Sequence, residues 1–197
     1  MTSSPGRPRT ISPDAVSLVA LRLFDTKSFD AVSMDDVARE ADVSRRSLFR
    51  LFPSKQSLVW GGLDEFVARF RAALEADDGP DAVRALQSAY VVASAFPDDQ
   101  IEVTRRRLRV IHVTPALDLR ADPRLTAVTD ETRRFLVERD PEGDELAAVV
   151  RAHALAAVVS SALTWWAEHD DGRPEQVLAR AFGVSAPVSG TARYVRE

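Results

Sequence analysis

Cysteine is absent from this chain of 197 residues. That excludes disulfides, thiolate nucleophiles and cysteine metal ligands, and it fits a reducing compartment. Glycine is scarce, with 8 residues, and no glycine-rich phosphate loop, nucleophile elbow or HExxH motif occurs. The three histidines, His112, His153 and His169, lack ligand-like spacing and read as core, interface and surface rather than metal ligands. Paired aspartates at 77–78, 98–99 and 170–171 sit beside helix ends or breaks, where turn chemistry accounts for them. The expectation is a protein that is not an enzyme and holds no cofactor and no metal. Long apolar runs are also missing. The longest stretch without charge, 154–167, falls short of the ~20 residues that cross a bilayer, and no charged start precedes an apolar segment. A cytoplasmic protein with no membrane partner is expected.

What is present is an ordinary globular composition, 45% hydrophobic and 28% charged. Of 26 basic residues only Lys27 and Lys55 are lysine; so arginine-rich a chain suggests a GC-rich genome, which weakens arguments from arginine counts alone. The net charge of −4 divides unevenly. Residues 1–60 hold nine Lys and Arg against seven Asp and Glu, and the remainder is acidic. Attraction to polyanions is therefore local to the N-terminal part.

The informative stretch is 33–55, SMDDVAREADVSRRSLFRLFPSK. Ser33 is an N-cap candidate with Asp36 three residues on, and Met34, Val37, Ala38 and Ala41 share one apolar face. Ser44 caps a second short helix after a turn of three or four residues, the helix-turn-helix spacing. Phe49 and Phe52 are expected to pack inward, leaving Arg45, Arg46, Ser47 and Arg50 outward. Guanidinium forks at the first turns of such a helix suit the O6/N7 edge of guanine; the plain alternative is a solvated basic face. Upstream, Ser12-Pro13 starts a helix with Val16, Ala20, Leu23 and Phe24 as its inner stripe, behind an arm, residues 1–10, in which Arg7 and Arg9 suit a minor groove.

This region resembles the DNA-binding domain of the TetR family of transcriptional regulators. The resemblance rests on Ala20, Leu23 and Phe24, on Ser33-Met34-Asp35-Asp36-Val37-Ala38, on Val43-Ser44, and on Leu48-Phe49-Arg50-Leu51-Phe52-Pro53-Ser54-Lys55. Within the family, 44–66 looks most like the regulators found with mycofactocin clusters. The sequence departs from the pattern at Ser28 and Asp42, where glycine is usual, at Phe49, which replaces a phosphate-contacting tyrosine, and at Arg46, where a small residue is common. The resemblance implies DNA-binding residues at Ser33, Ser44, Arg45, Arg46, Ser47, Phe49, Arg50 and Lys55. Lys55 is expected in the first turn of a long fourth helix, 55–77, where a phosphate would relieve a cation at a helix N-terminus. Gly61 and Gly62 inside that helix predict a bend or close packing.

Beyond residue 80 the pattern predicts helices over 81–96, 99–113, 124–139, 144–169 and 174–182, punctuated by proline and glycine. The fold class is all-α with about nine helices. A helix-turn-helix domain over 11–53 is followed by a ligand-binding and dimerisation bundle over 54–184 and a tail over 185–197. The helix from 144 is apolar on nearly all sides and must be covered on nearly all sides. The resemblance implies that it and 174–182 form a homodimer interface. Candidate effector-lining residues are Phe66, Phe70, Leu86, Tyr90, Leu108, His112 and Trp166, with Arg105, Arg106, Arg107 and Arg109 as a candidate mouth for an anionic group. The partners expected are a palindromic double-stranded DNA operator and a small apolar or acyl-type effector, such as an acyl-CoA. The competing reading is a helical small-molecule-binding or adaptor protein without sequence-specific DNA binding.

Overall fold

Local signals at helix ends decide most of this architecture. The computed structural model describes residues 12–118, 122–169 and 172–183, so the N-terminal arm with Arg7 and Arg9, and the tail, lie outside the described residues. Helices run α1 Pro13–Lys27, α2 Met34–Glu40, α3 Arg45–Leu51, α4 Leu63–Glu75, α5 Ala82–Ala93, α6 Asp98–Val113, α7 Pro123–Arg139, α8 Glu145–Glu168 and α9 Pro174–Phe182, with a 3-10 turn at Gln56–Leu58. No strand occurs among the described residues. The chain is all-α, as expected. By packing it forms two compact units, one of residues up to Gly61 with Glu102–Leu117, the other of Gly62–Ile101 with the residues from Asp118 onward.

In the first unit α1 starts as its sequence requires. Ser12 accepts a bond from the Ala15 amide, proline occupies the first turn, and Lys27 lies in the last turn, favourable for the helix dipole. Its buried stripe is Val16, Ala20, Leu21 and Phe24. Leu21, not Leu23, completes it, and the ring of Phe29 meets Phe24 edge-on at 5.0 Å. The α6 segment is tied to α1 by Arg106, 2.9 Å from Asp25, with Arg109 at 3.9 Å. Arg107 is buried, and a Cβ at Gly61 would lie 2.9 Å from its guanidinium. The arginine run is therefore largely spent on intramolecular ties.

The long fourth helix expected from Lys55 does not form. Ser54 and Ser57 bond reciprocally around a single 3-10 turn, the backbone breaks, and α4 begins only after Gly62, which sits at φ 79°. The buried pair Leu58 and Val59 continues the apolar period across the break and hides it from pattern reading.

The second unit packs α4 on α5, α5 on α9, and α8 between α7 and α9. Its core holds Phe66, Phe70, Leu86, Tyr90, Leu155, Leu163, Trp166 and Leu178. Arginines finish its edges: Arg69 donates twice to the Ala93 carbonyl at 3.0 and 2.8 Å, and Arg173 bonds the Phe96 carbonyl, Asp98 and Glu175. Helix α8 is long and apolar enough to cross a membrane by length and composition, the one such helix among the described residues, and 33% of its apolar window is buried. Counting only the uncharged run understated it, because the apolar pattern continues through Arg151 and His153.

Among the described residues two that are not glycine adopt positive φ, Ser28 at 72° and Asp42 at 52°. These are the two positions where the family resemblance anticipates glycine. Ser28, with ψ 154°, lies where side chains cost about 1–3 kcal/mol. Ser28→Gly should therefore stabilise the protein by about 1 kcal/mol after the unfolded-state entropy of glycine is deducted, and Asp42→Gly by less, since aspartate tolerates the left-handed region. Urea denaturation of both variants checks the order.

Candidate nucleic-acid interface

The seven residues of α3 are too few to hold a helix by themselves, so its neighbours fix it. The preceding turn is a Schellman motif: the Val43 amide donates to the Ala38 carbonyl at 3.0 Å and the Asp42 amide to that of Arg39 at 3.3 Å. Asp42 supplies the left-handed residue that this closure needs. Ser44 then accepts from the Ser47 amide at 3.1 Å, while its hydroxyl donates to the Ser47 hydroxyl at 2.9 Å. One fully buried side chain, Leu48, anchors the helix inward.

Helix α2 is held in the same manner. Asp36 accepts from the Ser33 amide at 2.9 Å and the Ser33 hydroxyl at 2.6 Å, and its own amide donates back to Ser33. These bonds, with Arg39 beside it, hold the Asp36 carboxyl down at about 2. Ser33 and Ser44 are thus already engaged as caps, and Ser47 is bonded to Ser44 through its amide and its hydroxyl.

The outward face of α3 carries Arg45, Arg46, Phe49 and Arg50, all exposed. Phe49 does not pack inward as expected; it is 39% exposed, because the spacing that buries Leu48 and Phe52 turns it out. Arg46 and Arg50 make no ion pair or hydrogen bond with the described residues. Arg45 differs: its Nη1 lies 2.8 Å from Asp35 Oδ2 of α2, and its guanidinium lies 5.5 Å from the centre of the Phe49 ring.

Lys55 is not at the N-terminus of an α-helix; it precedes the 3-10 turn Gln56–Leu58. Its ammonium donates to the carbonyls of Phe29 and Val32 at 2.8 and 3.1 Å and stands 4.3 Å from the Phe29 ring centre. It closes the loop between α1 and α2 onto the segment after α3. Two of its three N–H donors are spent there.

Of the expected effector-lining residues, Phe66, Phe70, Leu86, Tyr90 and Trp166 meet in the core of the second unit. Phe70 and Tyr90 rings lie 4.5 Å apart. Leu108 and His112 fall in the α6 segment of the other unit. Two residues escaped the sequence reading. Thr132 is fully buried and shares a 3.1 Å hydrogen bond with the Tyr90 hydroxyl, a polar pair in this apolar core; burial pushes the tyrosine pKa up, against that bond. Asp35 is the other: its pairing with Arg45 spans ten residues across a turn, a separation that no helical periodicity reveals.

The geometry is that of a helix-turn-helix with an arginine-bearing second helix, on a chain with a separate helical bundle. Residues 18–59 match the bacterial regulatory proteins of the tetR family, and residues 80–188 match the MftR C-terminal domain. The chain belongs to the TetR family of DNA-binding, ligand-responsive transcriptional regulators, with a C-terminal part of the MftR type. It is 29% identical over 181 residues, 91% of each chain, to a Mycobacterium tuberculosis protein named as a mycofactocin biosynthesis transcriptional regulator, MftR. It is 36% identical over 55 residues, 28% of this chain and 25% of the relative, to the HTH-type transcriptional regulator EthR of Mycolicibacterium smegmatis. The fold is also similar to that of NalD, the secondary repressor of the MexAB-OprM multidrug efflux pump in Pseudomonas aeruginosa, with TM-score 0.62 at 19% identity over 87% of this chain and 91% of that one.

The cap on α2 has a readable titration. The folded Asp36 value of about 2 lies below the ordinary 3.8, so its contribution is complete above 3.8 and is lost as pH falls through about 2. Ser33→Ala should raise the Asp36 midpoint towards 3.8, measured from carboxyl carbon shifts in an NMR titration.

Proposed function

We propose that this regulator binds a palindromic operator as a homodimer, reading each half-site with the exposed face of α3. The observation that carries this reading is a helix locked by Leu48 and the Ser44 cap, whose outward arginines Arg46 and Arg50 remain uncommitted among the described residues. Two such helices related by a twofold axis read half-sites roughly 34–36 Å apart, or a multiple of that. Repression in the cytoplasm, of genes linked to mycofactocin, is the role the similarity to MftR favours.

In fluorescence anisotropy on operator DNA selected from random duplexes, wild type should bind with a steep salt slope, and Arg46→Ala should cost about 1–3 kcal/mol on the specific site. Binding no tighter than to random DNA would instead favour the adaptor reading, which gains weight from the missing tyrosine hydroxyl at Phe49.

The outer face of α8 supports dimerisation. Leu146 and Val150 are 67% and 58% exposed, and Trp165 is 39% exposed; Ala154, Ala157 and Ser161 continue the stripe between them. A shallow groove lined by Ala157, Val158, Ser161, Ala162 and Ala181 joins α8 to α9. Small residues in the centre allow close helix approach, and the apolar ends supply area. Ala157→Arg should give a folded monomer at micromolar concentration in analytical ultracentrifugation and weaken operator binding at least tenfold.

For the effector, the core around Phe70, Tyr90, Thr132 and Trp166 favours an apolar molecule oriented by one polar pair. An acyl chain fits that chemistry. The arginine run of α6 lends an acyl-CoA headgroup little, since Arg106 and Arg109 face Asp25. A ligand preferring one bundle arrangement by ~1–3 kcal/mol would suffice to shift operator occupancy. Isothermal titration with acyl-CoA thioesters and with free fatty acids separates these versions.

A further inference from the structure

The three arginines on the face of α3 are not equivalent. Arg46 and Arg50 are uncommitted among the described residues, whereas Arg45 is held from two sides, by the Asp35 carboxylate at 2.8 Å and by the Phe49 ring beneath its guanidinium. The pair is exposed, with 67% of the Arg45 side chain and 53% of the Asp35 side chain accessible. Exposed pairs of this kind contribute little to stability. Its consequence must be sought in what Arg45 does when DNA arrives.

A guanidinium carries five N–H donors in a planar fork. Asp35 occupies one of them at Nη1, which leaves other donors of the plane for the O6 and N7 acceptors of a guanine. Holding the fork before binding removes part of the ordering cost that a free arginine side chain meets on docking. The carboxylate also offsets one positive charge at the face that meets phosphates, which lowers attraction to DNA of any sequence.

We propose that Asp35 is a specificity-determining residue of the regulator: it positions Arg45, over Phe49, to read a guanine, and it weakens binding to non-cognate DNA. This rests on the reading of α3 as the sequence-reading helix. Asp35 itself acts through Arg45 as a positioning residue and touches no base.

The test is a double-mutant cycle, read by anisotropy on the selected operator, on operators with each G·C pair of the half-site replaced, and on a random duplex over a salt series. Asp35→Asn should lose about tenfold in discrimination at one G·C pair per half-site. Binding to the random duplex should tighten, with a salt slope steeper by about one counter-ion. Arg45→Lys should lose the same discrimination, because a point charge cannot pair bidentately, and the double variant should lose no more than either single one. A merely structural role would weaken all duplexes together. Wild-type discrimination retained in Asp35→Asn, with wild type itself specific, overturns this proposal and leaves the DNA-reading function intact. Failure of wild type to discriminate among duplexes overturns both.

Discussion

Everything in the DNA-reading unit depends on fixing a helix too short to persist unaided. Helix α3 has two turns, one buried leucine and one capping serine, so its direction is inherited from the turn before it. That turn closes only if residue 42 takes a left-handed conformation, and the hydrogen bonds from Asp42 and Val43 to the end of α2 show that it does. The position of the arginines is thus settled by backbone geometry several residues away. Lys55 performs a comparable service on the other side, drawing the Phe29 and Val32 carbonyls towards the exit of α3.

The second unit is organised by a different constraint. Helix α8 has more apolar surface than α7 and α9 cover, and its uncovered stripe is built of large residues at the ends and small ones in the middle. Within the unit, polar side chains are placed where backbone groups at helix ends would otherwise lack partners. Arg69 and Arg173 satisfy carbonyls at the end of α5, and Tyr90 and Thr132 satisfy each other in the interior.

Much of this was legible in the sequence because helix ends announce themselves chemically. Ser12, Ser33 and Ser44 cap as their positions suggested, and α9 runs over the residues expected of it. Failures came where one pattern masked another. Leu58 and Val59 keep the apolar period running up to the backbone break at Gly62, so the pattern there is that of a helix although the chain turns. Phe49, expected inward with Phe52, faces out, because Leu48 alone fills the inward position of so short a helix. The Asp35–Arg45 pair and the Tyr90–Thr132 bond join residues on different helices, and only packing brings them together.

One feature of the packing bears on how the molecule is made. The unit that reads DNA is discontinuous in the chain, since Glu102–Leu117 clusters with the residues up to Gly61. As synthesis proceeds, α1 emerges with Asp25 unpaired and must wait for Arg106 and Arg109, which follow only after α4 and α5 have left the ribosome. A truncated chain ending at Gly61 would keep every residue of the helix-turn-helix and still lack part of the surface it folds against. The two units alternate along the chain, and neither has its full set of residues until most of the other has been made.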